Sequence, residues 1–477
     1  MRGEADPLAR ALEVGLFAVV LLGPLPFGAV TREGRLALEA GTFLLLAIWL
    51  ARACLRSTPL PPRACRLGLL GLLLFGLIQA MPMGGTAASW LSPLSLEVRR
   101  ESLAPGESLE AESRLLGVRP ASLDSPLTLS LDPEATASSL RTGAALAALF
   151  LVATTVVATR GPRLLALALL STAAFQGLYG TLVLASGVPR IWDVPKRYYL
   201  DCATGTFVNR NHFAGLLAAA LPCGLALVVS SAQKLDTRGS LKQRLLGFLS
   251  VEGSRALLLG LLLAMGLSGL LLSFSRAGIA VGLSGLLLTA LALGRHGLRR
   301  RVLVIALLAA MGLVPLAQIG AERLTRRYAL ASEDLTSPGG RSMVWRDTLG
   351  MIRASPLVGV GFGAFDSAYP LFRSPEVRLH YDHAHNDALQ AAAEGGALGA
   401  ALLLLVLYPV FGAIVRSLGG ARGALPIGLG AGLGALLLHA LVDFNFHIPS
   451  NAATAMILAG ALLGLEAGPD HPWIART

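Results

Sequence analysis

His380-Tyr381-Asp382-His383-Ala384-His385-Asn386-Asp387-Ala388-Leu389-Gln390, continuing as Ala391-Ala392-Ala393-Glu394-Gly395-Gly396, runs directly into an apolar stretch that ends near residue 415. Three of the chain's eight histidines fall within six positions, just ahead of that stretch. A helix needs about 20 apolar residues to cross about 30 Å of hydrocarbon. The stretch therefore reads as polar chemistry at the mouth of a membrane helix.

The rest of the chain agrees. With 54% hydrophobic and 14% charged residues and a mean hydropathy of +0.64, it lies far from the soluble balance of about 45–50% apolar and about 25% charged. The apolar runs have helical length and lack the alternation of a barrel, so the expected class is all-α, a polytopic integral membrane protein. A net charge of +11 would suit nucleic acid, but no basic-aromatic module of that kind is present, and Lys and Arg in a multispan chain follow topology. Nucleic acid is set aside as a partner; the lipid bilayer is one. Cys54, Cys65, Cys202 and Cys223 are scattered without metal or disulfide spacing.

Read in order, the apolar runs lie near residues 11–30, 36–53, 67–81, 142–159 and 164–186, then one ending near 232, then 256–273, 279–294, 302–320 and 388–415, one ending at 443, and 451–465. Basic connections, among them Arg52 to Arg66, Lys234 to Arg255 and Arg295 to Arg301, mark the cytoplasmic side. The alternation closes with twelve spans, both termini cytoplasmic and two large external loops. The first of these, residues 82–141, is rich in Ser, Pro and Glu and reads chiefly as a variable, partly disordered loop, with a short surface helix between 89 and 116 as the alternative of weaker periodicity. The second covers 321–387. The chain divides into a three-helix segment with its loop (1–141), central helices (142–320), the large external loop (321–387) and C-terminal helices (388–477).

This map puts four motifs on the outer face: the opening stretch, Asn209-Arg210-Asn211-His212, Ser275-Arg276, and Asp443 to Asn451. Each stands where an inward-running helix begins. The macrodipole already places about half a positive charge at such an end, so Arg210 and Arg276 are misplaced unless they pair with a loop carboxylate or a lipid headgroup, or bind an anion. Free N–H groups with a guanidinium fork suit a phosphate or diphosphate. Arg341 adds a further arginine in the second loop. The same positive end favours neutral His385, the form that accepts a proton. If the segment is helical, Asn386, Gln390 and Glu394 fall on one face, either as a structural polar ladder or as support for the histidine. A metal reading of His380, His383 and His385 matches no specific zinc spacing. Gly359-Val360-Gly361-Phe362-Gly363 lacks the features of a phosphate loop and reads as a tight turn.

Taken in this order, residues from about 205 to 451 resemble the O-antigen ligase and polymerase family, which includes lipopolysaccharide ligases, exopolysaccharide polymerases and some protein-glycosylating oligosaccharyltransferases. The resemblance rests on Phe207 to His212, Ser275 to Gly278, Gly340-Arg341 to Trp345, Ser355 to Gly361, His385-Asn386-Asp387 with Gln390 and Glu394, and Asp443 to Asn451. It implies an architecture like that of GT-C-type glycosyltransferases and a metal-independent, inverting glycosyltransferase without cofactor in the bacterial inner membrane. The donor it implies is an undecaprenyl-diphosphate-linked oligosaccharide used on the periplasmic side. Carried over, His385 matches the catalytic histidine and Arg210, Arg276 and Arg341 match positions that hold the diphosphate. His212, His383 and Asp443 fall to supporting roles. The acceptor is a growing glycan, in a polymerase of O-antigen or exopolysaccharide, or lipid A-core, in a ligase; a flippase and a chain-length regulator are expected partners. A lipid-linked glycan flippase is the alternative from another class, but its charged groups belong at the membrane midplane.

Overall fold

The computed structural model describes residues 6–84, 90–102, 126–233, 250–294, 340–419 and 423–467. In chain order the helices are α1 (Pro7–Leu22), α2 (Arg32–Leu55), α3 (Arg63–Ala80), α4 (Pro93–Ser102), α5 (Pro133–Arg160), α6 (Arg163–Ser186), α7 (Arg210–Ala232), α8 (Val251–Leu272), α9 (Arg276–Leu293), α10 (Arg341–Ala354), α11 (Phe365–Ala368), α12 (Asp387–Leu418), α13 (Ala424–His439) and α14 (Pro449–Ala467). Short 3₁₀ turns occupy Phe27–Ala29, Tyr369–Leu371 and Asn445–His447. Every expected apolar run coincides with a helix except that near 302–320, which lies outside the described residues.

Among the described residues nine helices are long and apolar enough to cross a membrane. The difference from twelve has a plain origin. α1 and α13 are only 16 residues each, and the 302–320 run is not described. α4 lies within the stretch read chiefly as a variable loop, where the short helix was the alternative. The connection after α6 holds a small antiparallel hairpin that was not anticipated, β1 (Arg190–Ile191) with β2 (Val194–Pro195). Two-residue strands leave no periodicity to read.

The chain forms two compact units. The first comprises residues 1–62, 145–331 and 408–477. Its centre is α7, against which α6, α8, α9 and α13 all pack. Small residues allow the approach: a Cβ on Gly428 would lie 2.7 Å from the Pro222 carbonyl oxygen, and one on Gly432 2.1 Å from that of Ala219. Without a hydrophobic drive between helices in lipid, close backbone packing of this kind is a main source of association. From His212 to Val228 every α7 residue is buried. The first turn of α7, polar as it is, must therefore find its partners inside the protein.

The second unit comprises residues 63–144 and 332–407. Here the course of α12 breaks at Gly396, with φ 59° and ψ −161°. The break frees backbone groups, and the Gly359 turn satisfies them. Val360 and Gly361 donate to the carbonyls of Ala393 and Glu394 at 2.9 and 3.0 Å, while Ala397 and Leu398 donate to those of Pro356 and Leu357 at 2.8 and 3.1 Å. Gln79 of α3 completes the seam: its Nε2 donates to the carbonyls of Val358 and Glu394 at 2.7 and 3.0 Å, and its Oε1 accepts from Phe362 N–H at 3.1 Å. A Cβ at Gly359 would sit 2.3 Å from the Glu394 carbonyl, so this turn tolerates only glycine there.

The break yields a stability test. A Cβ at Gly396 would meet the Leu357 carbonyl carbon at 2.5 Å, at a φ that disfavours side chains, whereas one at Gly434 meets nothing within 4 Å. Gly396→Ala should destabilise by about 1–3 kcal/mol and Gly434→Ala by far less. Thermal unfolding of the two purified variants in one detergent checks the contrast.

Candidate active site

In the first unit, the starts of α7 and α9 meet the segment between α13 and α14. Asn209 and Ser275 are the N-caps, their side chains accepting from the N–H groups of Asn211 at 2.8 Å and Gly278 at 3.3 Å. Each cap puts an arginine at the first helical position, Arg210 and Arg276. Asn211 joins the two ends. Its Nδ2 donates to Asp443 Oδ2 at 2.7 Å, and its Oδ1 accepts from the Ser275 hydroxyl at 2.9 Å.

Asp443 is 1% exposed, and a carboxylate so deep needs donors. It has Asn211 and the N–H of Phe444 at 2.9 Å; His212 Nε2 lies nearby at 3.6 Å, beyond hydrogen-bond distance. His212 packs edge-on against Phe444 with ring centroids 4.4 Å apart, and its backbone carbonyl accepts from Asn451 Nδ2 at 2.9 Å. The same Asn451 nitrogen donates to Asn445 Oδ1 at 3.1 Å. Three of the four motifs expected at helix starts thus form one buried network in this unit.

The two arginines differ. Arg210 lies with its guanidinium carbon 5.1 Å from the Tyr199 ring centroid, and its Nε and Nη1 are buried without a hydrogen-bond partner. A cation–π contact fixes the group without using its N–H donors. Arg276 interacts with other groups of the chain.

The second unit holds the histidine stretch. α10 begins at Arg341, with Gly340 at its N-cap. One turn on, Trp345 Nε1 donates to the Ala384 carbonyl at 3.0 Å. Burial pushes the Tyr381 phenol up while the Arg341 guanidinium pulls it back, so Arg341 acts within electrostatic reach of this loop. Tyr381 in turn packs edge-on against His385, centroids 5.7 Å apart. Farther along, Asp347 accepts from the Tyr369 hydroxyl at 3.0 Å and the Ser374 N–H at 3.0 Å, which clasps the loop to α10; that contact and burial hold the Tyr369 phenol well above its ordinary value.

The three histidines engage different partners. His380 is exposed and pairs with Asp366 at 3.0 Å. His383 Nδ1 is 3.1 Å from Gln390 Nε2. His385 stands in the left-handed region, φ 51°, a conformation uncommon outside glycine and found often at functional positions. Among the described residues, no three His, Cys, Asp or Glu side chains gather in a way that could hold a metal ion.

Gln390 and Glu394 are bonded neighbours on α12, Nε2 to Oε1 at 2.9 Å. Gln390 Oε1 also accepts from the Ala384 N–H at 3.0 Å, and Glu394 Oε2 from that of Gly363 at 2.8 Å. Asn386 has a role at the start of the helix. It precedes the helix and caps it, its Oδ1 accepting from Leu389 N–H at 3.0 Å. An Asx side chain prefers that role. Asp387 follows as a buried acid in the first turn, where the helix dipole favours it.

Sequence reading passed over Asn211, Ser275 as a bonded cap, Tyr199 and Gln79. For Gln79 a signal was available, since an amide inside an apolar run requires partners within the protein. Asn211 offered none, because its partners are 64 and 232 residues away.

Residues 245–404 match the O-antigen ligase family. The match contains Ser275, Arg276, Arg341 and His385, begins after Asn209 to His212 and ends before Asp443. No curated protein matches the chain.

The loop around His385 leans on one amide. Gln390→Leu removes its bonds to Ala384, His383 and Glu394 and should cost about 1–3 kcal/mol. It should also speed hydrogen exchange at the Ala384 amide, read by mass spectrometry. Unchanged protection there would show that Gln390 does not hold the loop.

Proposed function

We propose that this member of the O-antigen ligase family transfers a glycan from undecaprenyl diphosphate to an acceptor hydroxyl at the outer face of the bacterial inner membrane. Transfer of lipid-linked glycan is what the family match supports directly. The proposed protein spans the membrane twelve times in a GT-C-like architecture, with both termini cytoplasmic and its chemistry periplasmic.

In this reading His385 accepts the proton of the acceptor hydroxyl as that oxygen attacks the anomeric carbon. The new C–O bond forms as the bond to the diphosphate oxygen breaks, and undecaprenyl diphosphate leaves as an anion. In-line attack inverts the anomeric centre, and no metal takes part. Arg210, Arg276 and Arg341 offset the charge on the leaving group. The observation that carries the anion assignment is Arg210, with two buried guanidinium nitrogens lacking acceptors beside the first turn of an enclosed helix. Such donors bind phosphate oxygens well because no protein bond has to be broken first.

Two acceptors are distinguished by different features. Extension of an O-antigen or exopolysaccharide is favoured by the Asn209-Arg210-Asn211-His212 motif, which resembles that of exopolysaccharide-cluster members. Ligation to lipid A-core is favoured by the description of the matching family. Surface glycans of a deletion strain separate them. Single repeats on the core without long chains indicate a polymerase; bare core with accumulating lipid-linked polymer indicates a ligase. In either case a flippase would supply the donor, and a polymerase would act with a chain-length regulator.

General-base help is typically worth about 10²–10⁴ in rate. His385→Ala should lower glycan transfer by that order in membranes containing normal amounts of the protein, and His383→Ala by much less. Normal output from His385→Ala, with the protein inserted, would sink the assignment.

A further inference from the structure

Asn211 occupies a place that no other side chain could fill in the same way. Its partners fix its orientation: the Asp443 carboxylate can only accept, so Nδ2 faces it at 2.7 Å, and Oδ1 is left for the Ser275 hydroxyl at 2.9 Å. Both partners are 1% exposed, so neither can turn to water instead. Ser275 immediately precedes Arg276, and Asn211 immediately follows Arg210. One amide therefore ties together the backbone at the two arginines and anchors both to the turn that begins at Asp443. Asp443 adds charge to the arrangement, since a buried carboxylate beside two positive helix ends offsets part of the repulsion between them.

We propose that Asn211 is the positioning residue that sets the spacing of Arg210 and Arg276, and that this fixed spacing lets the site prefer a diphosphate over a monophosphate. The proposal rests on the reading of those two arginines as holders of the donor's diphosphate. A ligand with two phosphoryl groups gains from two guanidinium groups held at a set separation; a ligand with one gains little. Asn211 touches no reacting atom in this scheme. It acts through the arginines.

Equilibrium binding of undecaprenyl diphosphate and undecaprenyl monophosphate to the purified protein in detergent tests it. The unaltered protein should prefer the diphosphate by at least about tenfold, as expected for hydrogen bonds to a charged group. Asn211→Leu should lose most of that preference through weaker diphosphate binding, with monophosphate binding nearly constant. A purely structural bond would instead lower thermal stability and leave the ratio of affinities alone. Because Asn211→Leu strands a buried carboxylate, a second comparison uses the exchange of partners. Asn211→Asp alone sets two carboxylates face to face and should lose the preference, while Asn211→Asp combined with Asp443→Asn restores donor and acceptor in reverse and should recover it.

Arg210→Ala and Arg276→Ala run alongside. If they leave diphosphate affinity unchanged, the underlying reading fails. If they weaken it while Asn211→Leu and Asn211→Asp keep the full preference, the arginines bind the diphosphate and the positioning role is overturned. Failure of the exchanged pair to recover the preference, in protein with an unaltered melting temperature, would overturn it as well.

Discussion

α7 has protein on all sides, and much of the first unit follows from that. A lipid-facing helix can leave a polar end to headgroups or water; an enclosed one cannot, because each orphaned buried polar group costs on the order of 1–3 kcal/mol. The neighbouring helices can approach so closely only because glycine and alanine line the contacts, as at Gly428 and Gly432. Much of the polar first turn is then bonded by side chains brought from far along the chain: Ser275, Asp443 and Asn451. Arg210 and the ring Nε2 of His212 are left over. The Arg210 guanidinium rests on Tyr199 and keeps two donors without acceptors.

The second unit answers a similar demand by another route. A helix that stops being helical at Gly396 exposes carbonyl and N–H groups, and the glycine turn at 359–363 meets them as a strand would. Gln79, buried in α3, supplies the remaining donors and acceptor. Glu394 sits at the junction, its backbone serving the turn and its side chain serving Gln390 and Gly363. The polar stripe is therefore a ladder that holds the fold, and the loop carrying His385 is fastened to its upper rung. Structural and supporting roles coincide in the same bonds.

How much of this was legible follows from the range of the forces involved. Apolar runs and their charged borders are local signals, so the helices fall where hydropathy put them, from Arg32–Leu55 to Pro449–Ala467. Helix starts were legible too, since the apolar runs begin beside Arg210 and Arg276, although the capping by Asn209 and Ser275 was not read. The capping by Asn386 was not read because the same residue can begin a helix or lie on its face, and only backbone geometry separates the two. Long-range pairings such as Asn211 with Asp443 or Gln79 with Glu394 have no local trace. They depend on which helices pack side by side, and apolar helices of near-uniform composition do not state their neighbours.

The choice between two histidines shows what geometry adds to pattern. Gln390 Oε1 accepts from a backbone N–H, which can only donate, and Gln390 Nε2 faces the Glu394 oxygen. The amide is thereby fixed with its nitrogen toward His383, so His383 Nδ1 must accept. A neutral imidazole has one lone pair in the ring plane, and here it is spent; the other nitrogen carries the proton. His383 could take a proton from an acceptor hydroxyl only by giving up its bond to Gln390, and with it a tie that orders the loop. His385 stands on a backbone turned into the left-handed region and packs against Tyr381. In the proposed mechanism His385 is the general base, and on that assignment the bond between His383 and Gln390 serves the order of the loop.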